Sequence, residues 1–512
     1  MSPPKKRLKK LNPKSLKTLD QIIKGFPILD IQGPSNPIVQ SICYDSRRAS
    51  SNTLFVAIRG ENTDGERFIG ESINNGATII IAESSYSPSL VPDLENITYI
   101  QVQNCREALS YLSSQFYDKP SKKLKLFGVT GTNGKTTVVY LLESIFEALG
   151  NSVGVIGTVN SRFSGKARSS SMTTPESLNL NRVLSEMVEN GIDYCFLEVS
   201  SHALAMQRVD NLEFETILFT NLTRDHLDFH PTFEDYKETK KSLFKKFPNA
   251  KAVVNIDDFT GLEIVNENTS INFFKTSVEN EADIRATDIR LTPKETQWTL
   301  RTTLGNREIR SKLLGLHNVY NQLTAAAGAF TQKVPLEIIV KGLEKISNIP
   351  GRFESIDKGQ PFSVIVDYAH TDDALTNILR ASKTVTKSKV ILVFGCGGDR
   401  DRGKRPRMGE VAITGADQII VTSDNPRTED PDKIIDDICR GFPENAQENT
   451  DYIRIPDRRK AIEYSIKIAQ PGDLILIAGK GHENYQVLST ETIPFDDREI
   501  ASSALDKRLE NP

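Results

Sequence analysis

The stretch Phe127–Thr137, FGVTGTNGKTT, decides how the rest of this sequence is read. An apolar run enters a glycine-rich loop, and Lys135 and Thr136 then open a helix that stops at Gly150. A strand, such a loop and a helix N-terminus in that order aim backbone N–H groups and the helix dipole at one point, which suits an anion. Gly131, Thr132, Asn133, Gly134 and Thr137 are therefore candidate phosphate contacts. Lys135 adds a cation, and the Thr136 hydroxyl can reach Mg2+. Val129 stands where a strict Walker pattern has its first glycine, so the motif is a variant.

Working outward, strands and helices alternate from Leu124: LKLFGVTG, a helix to Gly150, SVGVIG, a helix near 176–190, YCFLEVSS, TILFTNL, a charged helix and KAVVNID. Alternation of this kind builds a mostly parallel sheet covered by helices. IRATDIRLTPKETQWTLRTTL reads as added β-hairpins before the helix HNVYNQLTAAAGAF. SNIPGRFE punctuates the chain at Pro350 and Gly351, after which alternation restarts with FSVIVDYAH and runs to DLILIAGKG. Upstream, TLFVAI and ATIIIAE mix with helical stretches until the polar join YDKPSKKLK. The expectation is an α/β protein of three domains, 15–120, 121–349 and 350–512, behind a basic tail 1–14. The central one is a P-loop ATPase-like, mostly parallel sheet and the last is Rossmann-like, with ligands at strand C-terminal ends.

At 512 residues the chain is long enough for several cores. A net charge of -3 gives no global attraction to nucleic acid or an anionic membrane. Its five cysteines are scattered, as in a reducing compartment, and form neither a disulfide framework nor a zinc site. The first seventeen residues hold seven Lys/Arg and no acid, but no apolar stretch follows, so they read as a solvated tail. No apolar run reaches the roughly 20 residues that span a bilayer.

Two further clusters carry chemistry. LEVSSHAL puts Glu198 at a strand terminus inside an apolar run, where a carboxylate must be paired or bind metal. TNLTRDHLDFH packs Asp225, His226, Asp228 and His230 into six residues, oxygen and imidazole groups suited to Mg2+ or Mn2+. In the next helix Phe233, Tyr236, Leu243 and Phe247 form one stripe, and Lys240 sits on it. Lys237, Lys241, Lys245 and Lys246 fall off the stripe, where solvated charges are expected. On periodicity alone Lys240 reads as a snorkelling lysine.

Taken in order, YDSR, LFVAIRG, GTNGKTT, TTPES, EVSSHAL, RDHLDFH, GLHNVYNQLTAAA, GRFE, DYAHTDDAL, GGDRDRGKRP, DNPR and GKGHE resemble the Mur ligase family along essentially the whole chain. The resemblance implies a cytoplasmic, monomeric enzyme of peptidoglycan precursor synthesis with a UDP-substrate-binding first domain. It implies an ATP-dependent amide ligase acting through an acyl phosphate, with UDP-N-acetylmuramoyl-L-alanyl-D-glutamate and meso-diaminopimelate as substrates. Lys135 would neutralise the β- and γ-phosphates, and Thr136 and Glu198 would hold one Mg2+. His226 would hold a second metal, Mg2+ or Mn2+, with a carbamate formed by CO2 on Lys240. Asn318 and Asn321 would lie near the adenine and phosphates, Arg352 at the γ-phosphate and Asp367 at the ribose.

For the nucleotide substrate the family positions are Ser46 and Arg47 at the uridine end, and Thr173, Thr174, Ser200 and Arg208 around the peptide and diphosphate. Met206 stands where some relatives carry glutamine, a departure from the pattern. Arg427 of DNPR offers the planar fork that takes a second carboxylate, the group separating meso-diaminopimelate from lysine. The resemblance implies that Asp424 and Asn425 would shape that pocket, and that Arg400, Gly479 and Glu483 would grip the other end. The same ligase adding L-lysine, a folylpolyglutamate synthetase, an ATP-driven switch and an inactive binding relative are the competing readings. DNPR argues against the first, YDSR and LFVAIRG against the second, Arg352 and Asp367 against the third, and the filled catalytic positions against the last.

Overall fold

The computed structural model describes residues 16–510 except 61, 62, 90, 92, 93, 171, 228 and 293; the basic tail 1–14 and the candidate Asp228 lie outside the described residues. Contacts gather the chain into two compact units. One comprises the chain up to 125 with 174–191 and 202–213, and the other 126–173, 192–201 and everything from 214.

The first unit is built on a five-stranded sheet, in the order Asp30–Gln32, Thr98–Gln101, Ala77–Ala82, Thr53–Val56, Ser41–Cys43. All its pairings are parallel except that of the edge strand Asp30–Gln32. The helix Cys105–Phe116 starts where Asn104 Oδ1 accepts from the Arg106 and Glu107 amides, an N-cap that satisfies orphan donors. Its Ala108, Leu109 and Leu112 pack on Leu54, Ile79 and Ile100. The helix Ser177–Glu189, read from sequence as part of the central domain, packs against it. Sequence alternation locates elements, but their partners are set by long-range contact.

The second unit holds two large sheets and the two-stranded ribbon Tyr485–Val487 with Thr492–Pro494. Eleven strands form the larger, in which Lys125–Thr130, Thr216–Phe219, Lys251–Asn255 and Phe273–Ser277 are successive parallel neighbours. Antiparallel strands extend both sides, ending in Lys166–Ser169 at one edge and Gly305–Ser311 at the other. The helix Lys135–Leu149 buries Val138, Val139, Leu142 and Phe146 and ends at Gly150, whose φ of 96° is the left-handed cap. The alanine-rich helix Leu316–Thr331 packs against it. Gly342 permits a third close approach, because a Cβ there would lie 2.4 Å from Ile145 Cα. The smaller sheet has six strands, in the order Glu354–Ser355, Ser363–Asp367, Leu474–Ala478, Val390–Phe394, Gln418–Val421, Tyr452–Arg454. Its pairings are parallel after the first. This is the mixed α/β architecture that the sequence predicts.

Candidate active site

The strand Lys125–Thr130 delivers Gly131 at φ 143° and Gly134 at φ 88° to the start of the helix Lys135–Leu149. Side chains need the missing Cβ atoms: one at Gly131 would sit 1.9 Å from Thr220 Oγ1, and one at Gly134 2.2 Å from Asn321 Oδ1. The loop is braced from the neighbouring strand end. Asn221 accepts from the Thr132 amide with its backbone carbonyl and from the Asn133 amide with Oδ1, and Thr220 Oγ1 donates to Asn133 O at 2.6 Å. Thr137 is buried in the first helical turn.

Glu198 is 1% exposed at the end of the strand Tyr194–Glu198 and is satisfied by hydroxyls and an amide. Thr136 Oγ1 donates to Oε2 at 3.0 Å, Thr158 Oγ1 to Oε2 at 3.1 Å and the Thr158 amide to Oε1 at 2.9 Å. Gly157 makes room, since a Cβ there would come 2.1 Å from Oε1. Thr158 joins the candidate site through these bonds, and sequence reasoning missed it; a threonine beside a glycine after a buried strand was the available signal. Its hydroxyl also lies 3.1 Å from that of Thr173.

Lys135 Nζ donates to Gly131 O at 2.9 Å and Thr132 O at 2.8 Å. Lys240, 1% exposed, donates to the same Gly131 O at 2.8 Å. Burial, then the Lys135 charge, holds the Lys240 amine well below the usual lysine range, against the opposing pull of Asp225. Tyr236 steadies it, with its ring centroid 5.0 Å from Nζ and its hydroxyl 2.9 Å from Thr132 Oγ1. Two expectations for this helix are corrected. Phe233 is 41% exposed, and Phe244 takes the core position instead. Lys241 is not solvated: it is 2% exposed, bonded to Glu238, Glu263 and Glu267 at 2.7, 3.4 and 2.5 Å. Glu238 one turn earlier and the acids of the helix Phe259–Glu267 supply what water would otherwise provide, and periodicity within one helix does not reveal the latter.

His226 adopts a left-handed φ of 54°; its amide donates to Asp225 Oδ1, and Nε2 lies 3.4 Å from Asp225 Oδ2. Thr136 and Glu198 fit Mg2+, being a hydroxyl and a carboxylate already 3.0 Å apart. Among the described residues no group of three His, Cys, Asp or Glu could hold a metal. An ion held by Thr136 and Glu198 would need further oxygen ligands, such as a phosphate supplies.

From beyond the Pro350–Gly351 break, Arg352 Nη2 donates to Thr136 Oγ1 at 3.2 Å, with its guanidinium over the Tyr368 ring. Asp367 accepts from the Phe353 amide at 2.7 Å and the Ala369 amide at 2.8 Å. Burial raises its carboxyl and Arg352 opposes this. Asn321 donates to Asn318 Oδ1 at 3.2 Å, while Asn318 Nδ2 holds Leu314 O. Thr223, bound to Thr132 through both backbone groups, donates to Asp373 Oδ2 at 2.6 Å. That second tie from the nucleotide loop to the C-terminal sheet's helices was also missed.

At the strand ends of the six-stranded sheet Arg427 sits at φ 53°, its Nη1 donating to Gly398 O at 2.7 Å and Asn425 O at 3.4 Å. Arg400, exposed, donates to Asp399 O. Asn425 Nδ2 donates to Glu483 Oε2 at 2.9 Å. Asp424 is buried, with Oδ2 2.6 Å from where a Gly479 Cβ would be.

In the first unit Ser46 Oγ donates to Glu71 at 2.7 Å and Arg47 forms a two-bond pair with Asp45. Arg208 is 9% exposed, donating to Glu176, Thr174 O and, at 3.0 Å, to the Met206 sulfur. The thioether that departs from the family pattern thus occupies the guanidinium itself. Ser200 follows Glu198 by two residues.

A glycine loop with Lys-Thr at a helix start, a buried glutamate beside it and an arginine from a second α/β sheet define a nucleotide-dependent ligase fold. The chain belongs to the Mur ligase family. Family models match consecutively, "Mur ligase family, catalytic domain" over 38–117, "Mur ligase middle domain" over 129–329 and "Mur ligase, glutamate ligase domain" over 351–481. A UDP-N-acetylmuramoyl-L-alanyl-D-glutamate–2,6-diaminopimelate ligase of Clostridium tetani is 41% identical, over 96% of this chain and 99% of its own. One of Alkaliphilus metalliredigens is 42% identical over 95% and 98%. A solved structure of a ligase with that name is 32% identical with a TM-score of 0.66, covering 92% of this chain and 96% of its own. A Thermotoga maritima MurF ligase solved with ADP shares the fold at 19% identity and a TM-score of 0.59, over 92% and 98% of the two chains. No helix of the described residues is long and apolar enough to cross a membrane.

Proposed function

We propose that this chain joins meso-diaminopimelate to UDP-N-acetylmuramoyl-L-alanyl-D-glutamate at the expense of ATP, in the cytoplasm and as a monomer. The observation that carries the reading is Arg352 at 3.2 Å from Thr136 Oγ1, which brings a guanidinium to the start of the glycine-loop helix. The full-length relatives with that activity in their names support the substrates. Residues 15–120 serve the UDP end, 121–349 ATP and 350–512 the amino acid.

The γ-phosphoryl group passes to the terminal carboxylate of the nucleotide-peptide, and the acceptor amine displaces phosphate from the acyl phosphate. Positioning and charge neutralisation do most of this work. The loop amides of Gly131–Gly134 and Lys135 bind the phosphates, Arg352 the γ-phosphate, Asp367 the ribose, and Asn318 and Asn321 the adenine side. Thr136 and Glu198 would hold Mg2+, and His226 with a carbamate on Lys240 a second ion, and the bound ions would supply positive charge to neutralise phosphate. Burial and the Lys135 charge both disfavour the ammonium form of Lys240, and the neutral amine is the form that takes up CO2. Ser46, Arg47, Thr173, Thr174, Ser200 and Arg208 position the nucleotide-peptide. Arg427 meets the distal carboxylate, with Asp424, Asn425, Arg400, Gly479 and Glu483 around the amino acid.

Phosphate release with the nucleotide-dipeptide tests this against meso-diaminopimelate, L-lysine and no acceptor. Turnover is expected only with meso-diaminopimelate. Release without acceptor would refute a ligase, and preference for lysine would refute the role of Arg427.

A further inference from the structure

Of the buried cations that the assigned roles leave unused, one stands beside the amino-acid pocket. Lys480 follows Gly479 at the end of the strand Leu474–Ala478 and is fully buried. Its Nζ donates to Glu483 Oε2 at 2.9 Å and Asn425 Oδ1 at 3.1 Å, and stands 5.5 Å from the Tyr485 ring centroid. An ammonium taken out of water needs such partners, and those chosen here belong to the amino-acid pocket.

The contacts fix both partners' orientations. Asn425 Oδ1 also accepts from the Val487 amide at 2.9 Å. Neither an ammonium nor an amide N–H can accept, so the side-chain oxygen must face them. Nδ2 is thereby turned to Glu483 Oε2. That oxygen receives two donors, whereas Oε1 has no partner among the described residues. Lys480 thus leaves one carboxylate oxygen of Glu483 and the second Nδ2 proton of Asn425 for a ligand. An acceptor beside a donor is the complement of an amino acid's ammonium and carboxylate.

We propose that Lys480 is the positioning residue of the amino-acid pocket, setting Glu483 and Asn425 to receive the ammonium–carboxylate end of the acceptor that does not react, without touching it. This rests on the function proposed above. Replacing Lys480 by Met frees the Glu483 carboxylate and the Asn425 amide to reorient. The KM for meso-diaminopimelate should rise roughly ten- to a hundredfold, the range of a lost charge-assisted bond. The KM values for ATP and the nucleotide-dipeptide should stay within about twofold, since binding lost at one pocket leaves the others. Lys480→Gln, which keeps one N–H donor, should fall between, and it carries the test if the methionine variant does not fold. Combined with Glu483→Gln, Lys480→Met should add little, because both act on one contact. Wild-type-like acceptor KM in both variants, or a kcat loss with every KM unchanged, would overturn the role of Lys480. Lack of acceptor-dependent phosphate release by the wild type would instead overturn the function.

Discussion

Replacing Gly157 by alanine probes the Glu198 carboxylate without changing any charge. Gly157 lies outside the left-handed region, so alanine suits its backbone and the effect is purely steric. The added Cβ would meet Glu198 Oε1 at 2.1 Å and Cδ at 2.9 Å, whereas ordinary contact begins at 3.4 Å. The carboxylate must therefore retreat by about an ångström, a displacement that can cost about 10²-fold in rate, or about 2.7 kcal/mol. It would also lose bonds to Thr136 and Thr158. For a buried charged acceptor that is worth about 1.5–3 kcal/mol of stability. The assay is acceptor-dependent phosphate release across a Mg2+ titration, with thermal melting alongside. We expect a kcat near a hundredth of wild type and a higher Mg2+ requirement. Gly70→Ala is the control: nothing lies within 4 Å of its Cβ, and alanine within the helix Ile69–Asn74 should be neutral or slightly stabilising. A folded Gly157→Ala enzyme within about threefold of wild-type rate would refute the placement of Glu198, since a charge-assisted contact is worth more than that.

Lys240→Ala should abolish ligation, and added short carboxylates should restore part of it; retained activity would remove Lys240 from the catalytic set. Arg458 and Asp497 form a fully buried pair at 2.7 Å, and Arg458 also donates to Ala478 O at 3.0 Å. Arg458→Met should cost about 3–5 kcal/mol in denaturant unfolding by leaving Asp497 alone, and a loss below about 1 kcal/mol would argue against such burial. Burial, then Arg352 and Arg498, lower His482 to about 4. Its folded pKa lies below the ordinary histidine value of about 6.5, so the unfolded chain takes up the proton first. Stability from neutral His482 is present above about pH 6.5 and falls as pH drops toward about 4. His482→Gln should flatten the acid side of a Tm-against-pH curve, and an unchanged slope would refute the shift.

Sequence patterns exposed what is local. The glycine loop with Lys135 and Thr136 is a contiguous motif, and Glu198 announces itself as an acid ending an apolar strand. Partners from distant segments were hidden. Nothing in the periodicity around Lys240 shows that it shares the Gly131 carbonyl with Lys135 across 109 residues. Lys241 looked solvated because its carboxylates Glu263 and Glu267 lie on another helix. Lys480 lies within GKGHE, but its burial depends on Asn425, 55 residues earlier. Burial and pairing are properties of the assembled chain, so a pattern within one element reports the face and not what covers it.

The edges of the eleven-stranded sheet bear on how the protein behaves in a crowded solution. A sheet end presents unpaired backbone groups to any passing strand, a route to aggregation. One edge, Lys166–Ser169, is exposed throughout and carries Lys166 and Arg168. The other, Gly305–Ser311, carries Arg307, Glu308 and Arg310, with Arg307 paired to Glu337. A foreign strand docking on either end would have to bury these charges. The hairpins flanking the nucleotide-binding strands thus serve as electrostatic guards against self-templating.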